Sequence, residues 1–170
     1  MSLDDSHSPL PAGIAAPQFV LPATPQQKTA LADWLGSPVV LIFYPADFSP
    51  VCGDELAVFN ELMPIFERRG AKLFGVSVDS VWSHAAYSRE RRLRFPLLSD
   101  FQPRGEVSRA YNSFREEDGC SERSLFVLDS AGRVFWSYLS PVNVNPGADG
   151  VLDALDRLGS HDHVNPGSVS

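Results

Sequence analysis

Cys52 is the residue whose neighbours most clearly suggest chemistry. It lies in Phe43-Tyr44-Pro45-Ala46-Asp47-Phe48-Ser49-Pro50-Val51-Cys52-Gly53-Asp54-Glu55, which leaves a continuously apolar run and enters a stretch of helical spacing. Ligand sites in open α/β sheets collect at the carboxyl ends of strands. A thiol of ordinary acidity is only about 3% ionised at neutral pH, whereas a helix N-terminus or a nearby cation raises the thiolate fraction. Such a position therefore decides whether a sulfur is a nucleophile or filler. Ser49, three residues earlier, is spaced to cap the helix or to offer its hydroxyl to a bound oxygen. Pro45 and Pro50 stiffen the loop that would carry the sulfur.

The elements that must hold this loop follow from periodicity. Val39-Val40-Leu41-Ile42-Phe43 is apolar throughout, as expected of a central strand covered on both faces. Lys72 to Val78 and Ser124 to Leu128 predict two more such strands, and a turn at Asp129-Ser130-Ala131-Gly132 leads into an edge strand, Arg133 to Leu139. Leu56, Phe59, Leu62 and Phe66 recur at helical spacing within Asp54 to Arg69, where Pro64 predicts a kink and Gly70 a stop. Ser83 to Leu93, Gly105 to Tyr111 and Asp149 to Leu158 predict further helices. Strands alternating with helices imply an α/β domain, a central mixed sheet flanked by helices on both faces, compatible with a thioredoxin-like arrangement. Residues 13–158 read as that domain, 1–12 as an N-terminal arm whose loosely held character extends to Ala16, and 159–170 as a polar tail.

On these residues the chain resembles the peroxiredoxin family. The family pattern is Pro, three residues, Thr or Ser, two residues, then the peroxidatic Cys, matched here by Pro45, Ser49 and Cys52, with Phe43, Asp47, Phe48, Val51 and Glu55 also as expected. Ala16-Pro17-Gln18-Phe19 and Leu31 to Gly36 resemble its lead-in. Gly119-Cys120-Ser121-Glu122-Arg123-Ser124-Leu125 resembles a second signature centred on an arginine. The resemblance implies a thiol-dependent peroxidase acting on hydrogen peroxide or organic hydroperoxides through a Cys52 sulfenic acid. It further implies that Arg123 is the fixed cation beside the sulfur and that Glu55 orients it. Ser49 and the Cys52 backbone N–H would donate to the peroxide, and Pro45 would screen the sulfenate. It calls for no metal, flavin or nucleotide cofactor. Ser49 stands where Thr is the commoner family choice, which keeps the hydroxyl but loses the methyl that restricts χ1.

Cys120 has two readings, a resolving thiol that attacks the sulfenate or a small apolar filler at a strand start. The resembled signature holds an apolar side chain there, which favours filler. Ala57 occupies the position where some relatives keep a resolving cysteine. The expectation is therefore a one-cysteine mechanism regenerated by an external thiol, whether thioredoxin, glutaredoxin or a low-molecular-weight thiol. A peroxide sensor or holdase chaperone switched by Cys52 oxidation is the alternative.

The remaining candidates read more simply. Trp82 and His84 suggest partly buried packing groups near the active-site rim, His161, Asp162 and His163 a polar tail, and Arg89-Glu90-Arg91-Arg92-Leu93-Arg94 a solvated helix face with local charge pairing. Phe48, Val51 and Trp82 would accommodate alkyl substrates, and Phe48 is also a candidate subunit contact in a homodimer or higher oligomer. With 14 basic against 21 acidic residues the chain carries a formal charge of −7, which argues against binding phosphate backbones. No apolar run approaches the roughly 18 residues that span a bilayer, and two cysteines outside a CxxC pair fit a reducing compartment, so a cytoplasmic location is expected.

Overall fold

In this computed structural model, which describes residues 8–164 and the side chains of residues 8–160, a short antiparallel hairpin precedes the main sheet. It comprises β1 (Val20–Pro22) and β2 (Lys28–Ala30) and leads through a 3-10 turn at Leu31–Trp34 into β3 (Val39–Phe43). Then come α1 (Pro50–Glu61), α2 (Met63–Arg68), β4 (Lys72–Ser77), α3 (Val81–Arg91), β5 (Leu97–Ser99) and α4 (Glu106–Ala110). A second small hairpin, β6 (Phe114–Arg115) and β7 (Cys120–Ser121), precedes β8 (Arg123–Leu128), β9 (Val134–Ser140) and α5 (Asp149–Val164).

The main sheet runs β5-β4-β3-β8-β9. Its first three strands are parallel, and β8 and β9 are added antiparallel. β3 lies in the middle because none of its side chains needs water. Val40 and Ile42 pack with Leu56, Phe59, Phe66 and Leu155 on one face, while Val39, Leu41 and Phe43 pack with Leu31, Val107 and Phe126 on the other. On that second face Phe43, Tyr111 and Phe126 form a triad with ring centroids 5.2 to 5.6 Å apart, and the Tyr111 hydroxyl donates to the Pro17 carbonyl at 2.8 Å. Edge-to-face rings of this kind contribute beyond the area they bury.

Several predicted boundaries move, each for a physical reason. The helix predicted from Asp54 begins at Pro50, since Ser49 caps it and proline is favourable where an N–H is unpaired anyway. Pro64 does not kink one helix but sits in the first turn of a second, α2. The N-terminal segment expected to be loosely held is pinned from Leu10 onward. Gly13 N–H donates to the Val134 carbonyl, Ala16 N–H to that of Gly132, and Ser137 Oγ to that of Leu10. These bonds cover the otherwise open end of β9. Within the predicted polar tail, helical backbone continues through Val164. The side chains of His161, Asp162 and His163 lie outside the described residues.

Removing the ring at the centre of the aromatic triad tests this packing. Phe126→Ala is expected to lower unfolding stability by roughly 3–5 kcal/mol, read as a lower urea midpoint at unchanged slope.

Candidate active site

The end of β3 and the start of α1 fix the loop between them. Ser49 is the N-cap, with Pro50 next, so Cys52 falls in the first helical turn, at the positive end of the helix dipole. Ser49 Oγ accepts the Cys52 backbone N–H at 3.4 Å, so that N–H, expected to be a donor to peroxide, is engaged within the loop. Phe48 takes a left-handed conformation at φ 68°, a costly one for a non-glycine residue, and is held there between the cap and the bonds made by Asp47.

The cation expected beside the sulfur is present. Arg123, only 2% exposed at the start of β8, points Nη2 at Cys52 Sγ across 3.2 Å. Its Nη1 donates to Glu55 Oε1 at 2.9 Å, and its Nε to the Val142 carbonyl at 2.9 Å. Cys52 and Glu55 are themselves 0% exposed. In so dry a setting a guanidinium stabilises negative charge on sulfur far more than it would in water. Glu55 Oε2 is buried with no hydrogen-bond partner. Burial pushes the Glu55 carboxyl up to about 7, against the lowering pull of its Arg123 bond.

A second buried network anchors the loop from the other side. Asp47 Oδ1 accepts from the Tyr44 hydroxyl at 2.6 Å, and Oδ2 accepts from Ser83 Oγ at 2.8 Å and meets His84 Nδ1 at 2.7 Å. His84 Nε2 reaches the Leu98 carbonyl at 3.1 Å. Asp79 accepts the Asp47 backbone N–H at 2.8 Å and the Ser77 hydroxyl at 2.6 Å. Burial, with the Asp47 charge beside it, holds the Tyr44 phenol well above its ordinary range. Asp47, Asp79 and His84 bring metal-ligand atoms within 4.8 Å of one another, yet these atoms already bond to protein donors and acceptors around them. The network explains itself as a strut.

Sequence reasoning missed that strut. His84, read as a partly buried packing group, is fully buried and polar-bonded, whereas Trp82, read alongside it, is 70% exposed. Two residues apart on a helix is roughly half a turn, so they face opposite ways. The only local hint was Asp47 itself, a charged residue just after an apolar strand. Phe48 is 52% exposed and sets its ring at a tilt against Tyr87 with centroids 4.7 Å apart. Pro45 lies two residues after the end of β3 and is half-buried. Cys120 sits on β7, paired with Arg115, and burial together with the Asp118 charge pushes its thiol up.

The geometry is that of a buried thiol held under an arginine at the end of an α/β sheet. Residues 12–137 match the model of the AhpC/TSA family, and the chain belongs to that family, the peroxiredoxins. It is 32% identical over 152 residues to peroxiredoxin 2 of Thermoplasma acidophilum, covering 86% of this chain and 75% of that one. It is 36% identical over 121 residues to alkyl hydroperoxide reductase E of Mycobacterium tuberculosis, covering 71% and 79%. Among solved structures it is similar to the reduced 2-Cys peroxiredoxin of Plasmodium vivax, with a TM-score of 0.83 at 26% identity over 91% of this chain and 85% of that one. The peroxidoxin BcpB of Mycobacterium tuberculosis gives a TM-score of 0.79 at 30% identity over 88% and 98%. The chain is thus a thioredoxin-fold enzyme with thiol-dependent peroxidase activity.

The raised pKa of Glu55 makes stability depend on pH. Its folded-state value, about 7, lies above the ordinary 4.5, so the stability it confers is complete below about pH 4.5 and is lost as pH rises through about 7. Glu55→Gln, which cannot ionise, should lose this dependence, so that the stability difference between variant and native chain shifts toward the variant by up to roughly 3 kcal/mol from pH 5 to pH 8 in paired urea titrations.

Proposed function

We propose that Cys52 is the peroxide-attacking nucleophile, that Arg123 is its electrostatic partner, and that Glu55, Ser49 and Pro45 position the pair. The contact from Arg123 Nη2 to Cys52 Sγ carries this reading. The sulfur attacks the terminal oxygen of a hydroperoxide in line with the O–O bond. As the S–O bond forms and the O–O bond breaks, sulfur is oxidised by two electrons, and the departing hydroxide or alkoxide takes a proton to leave as water or alcohol. Arg123 donors aimed at the reacting oxygens stabilise the charge that moves onto the leaving one. Ser49 supplies a hydroxyl at the rim of the same turn, and Pro45 limits water at the sulfenate.

The sulfenic acid is reduced by an external thiol rather than by Cys120. Burial and the Asp118 charge hold the Cys120 thiol in its protonated, poorly nucleophilic form. A sulfur that is 0% exposed also excludes any protein thiol until the loop around it opens, so a protein reductant must await that opening, whereas a small thiol needs less of it. Exposed Phe48 and Trp82 offer apolar surface to a second copy of the chain, consistent with a homodimer or larger assembly. Among the described residues no helix is long and apolar enough to cross a membrane.

Steady-state peroxide consumption with a supplied thiol tests the nucleophile. Cys52→Ser should abolish turnover, and normal turnover by that variant would remove the mechanism. Intact mass after one equivalent of peroxide, without reductant, tests the resolving step. A gain of about 16 mass units marks the stable sulfenic acid expected here, whereas a loss of about two marks a disulfide to Cys120.

A further inference from the structure

The six-residue run Arg89 to Arg94 was expected to pair its charges along its own helix. Among the described residues it does not. Arg69, Arg109, Arg115 and Arg157 each have a carboxylate within 4 Å, but Arg89, Arg91, Arg92 and Arg94 have none, although Glu90 lies among them and the chain as a whole is acidic. The end of α3 is therefore a net-cationic patch, four arginines against Glu90, and one of its members is placed next to the active-site turn.

That member is Arg91. A Cβ placed on Gly53, the residue after Cys52, would come within 2.7 Å of Arg91 Nη2 and 3.2 Å of Tyr87 Oη, so these two donors converge on one spot beside the backbone of the active-site turn. Gly53 leaves them that room because it has no side chain. Tyr87 is fully buried and its hydroxyl has no hydrogen-bond partner, an arrangement that forfeits a bond unless something outside the chain supplies the acceptor. Burial pushes this phenol up to about 12, against the lowering pull of Arg91, so it is a protonated donor. The Arg91 guanidinium lies 5.7 Å over the Tyr87 ring, on an exposed arm that can swing on its own stem. Phe48, whose ring is tilted against that of Tyr87 at 4.7 Å, adds an apolar group beside it.

We propose that Arg91 and the Tyr87 hydroxyl form a carboxylate-binding subsite flanking Cys52, so that the enzyme prefers a reactant carrying a carboxylate a few bonds from its reacting group. This rests on Cys52 being the nucleophile. Guanidinium and phenol together match the two oxygens of a carboxylate, one by a charge-assisted bond and one by the bond the buried hydroxyl lacks. The carboxylate can belong to the hydroperoxide that oxidises Cys52 or to the small thiol that reduces its sulfenic acid.

Two matched pairs separate these sources. Stopped-flow oxidation of Cys52 by hydroperoxyisobutyrate is compared with that by tert-butyl hydroperoxide, which has a methyl where the first has the carboxylate. Reduction of the sulfenic acid by thioglycolate is compared with that by mercaptoethanol. In Arg91→Gln the carboxylate-to-neutral rate ratio should fall about fivefold or more in at least one pair, Arg91→Lys should restore part of it, and Tyr87→Phe should lower the same ratio. A fall in the first pair assigns the subsite to the peroxide, and a fall in the second assigns it to the thiol. Ratios unchanged in both pairs overturn the subsite. Failure of the underlying nucleophile assignment shows separately, as wild-type Cys52 left unoxidised by tert-butyl hydroperoxide.

Discussion

A guanidinium that is 2% exposed must find acceptors for its N–H groups and negative charge to balance its own, and the rest of this molecule is arranged around how Arg123 does so. Glu55 gives the charge, the Val142 carbonyl takes Nε–H, and the Cys52 sulfur accepts from Nη2. Three separate parts of the chain, the first two turns of α1, the start of β8 and the loop after β9, are thereby tied to one planar group. Removing any one partner would leave a buried donor of Arg123 unpaired. The sulfur is thus part of a structural constraint as well as the proposed site of reaction.

The same loop is held from its far side by a network with no charge in common with the first. Asp47 collects Tyr44, Ser83 and His84, while Asp79 takes the Asp47 backbone N–H. Because β3 and β4 are parallel neighbours, their carboxyl ends bring Asp47 and Asp79 together, and the helix that follows β4 delivers Ser83 and His84 to the same point. Between these two anchors Phe48 tolerates its left-handed backbone and Ser49 caps α1. A thiol on a mobile loop tip would lose the 3.2 Å contact with arginine for much of the time. Here both ends of its short segment are fixed.

How much of this could be read from the sequence follows from chain separation. β3 is visible because a strand buried on both faces is apolar at every position, and the loop from Pro45 to Glu55 is visible because its parts are consecutive. Arg123 lies 71 residues from Cys52, and only family resemblance, not spacing, brought the two together. The strut from Asp47 to His84 spans 37 residues and depends on which strands are neighbours, which no local pattern reveals. The hairpins β1/β2 and β6/β7 have strands of two or three residues, too short to show periodicity. Arg91 illustrates the converse. Its neighbours suggested pairing along one helix, but the helix turns it toward Gly53 on another element.

If the fixed fork of Arg123, rather than mere positive charge, is what activates Cys52, then Arg123→Lys is the decisive variant, because it keeps the charge and loses the planar set of donors. The measurement is the stopped-flow rate constant for Cys52 oxidation by hydrogen peroxide, with folding checked by thermal unfolding. A fall of about a hundredfold or more in a folded protein is the predicted result, and a rate within about threefold of the native enzyme would contradict the account.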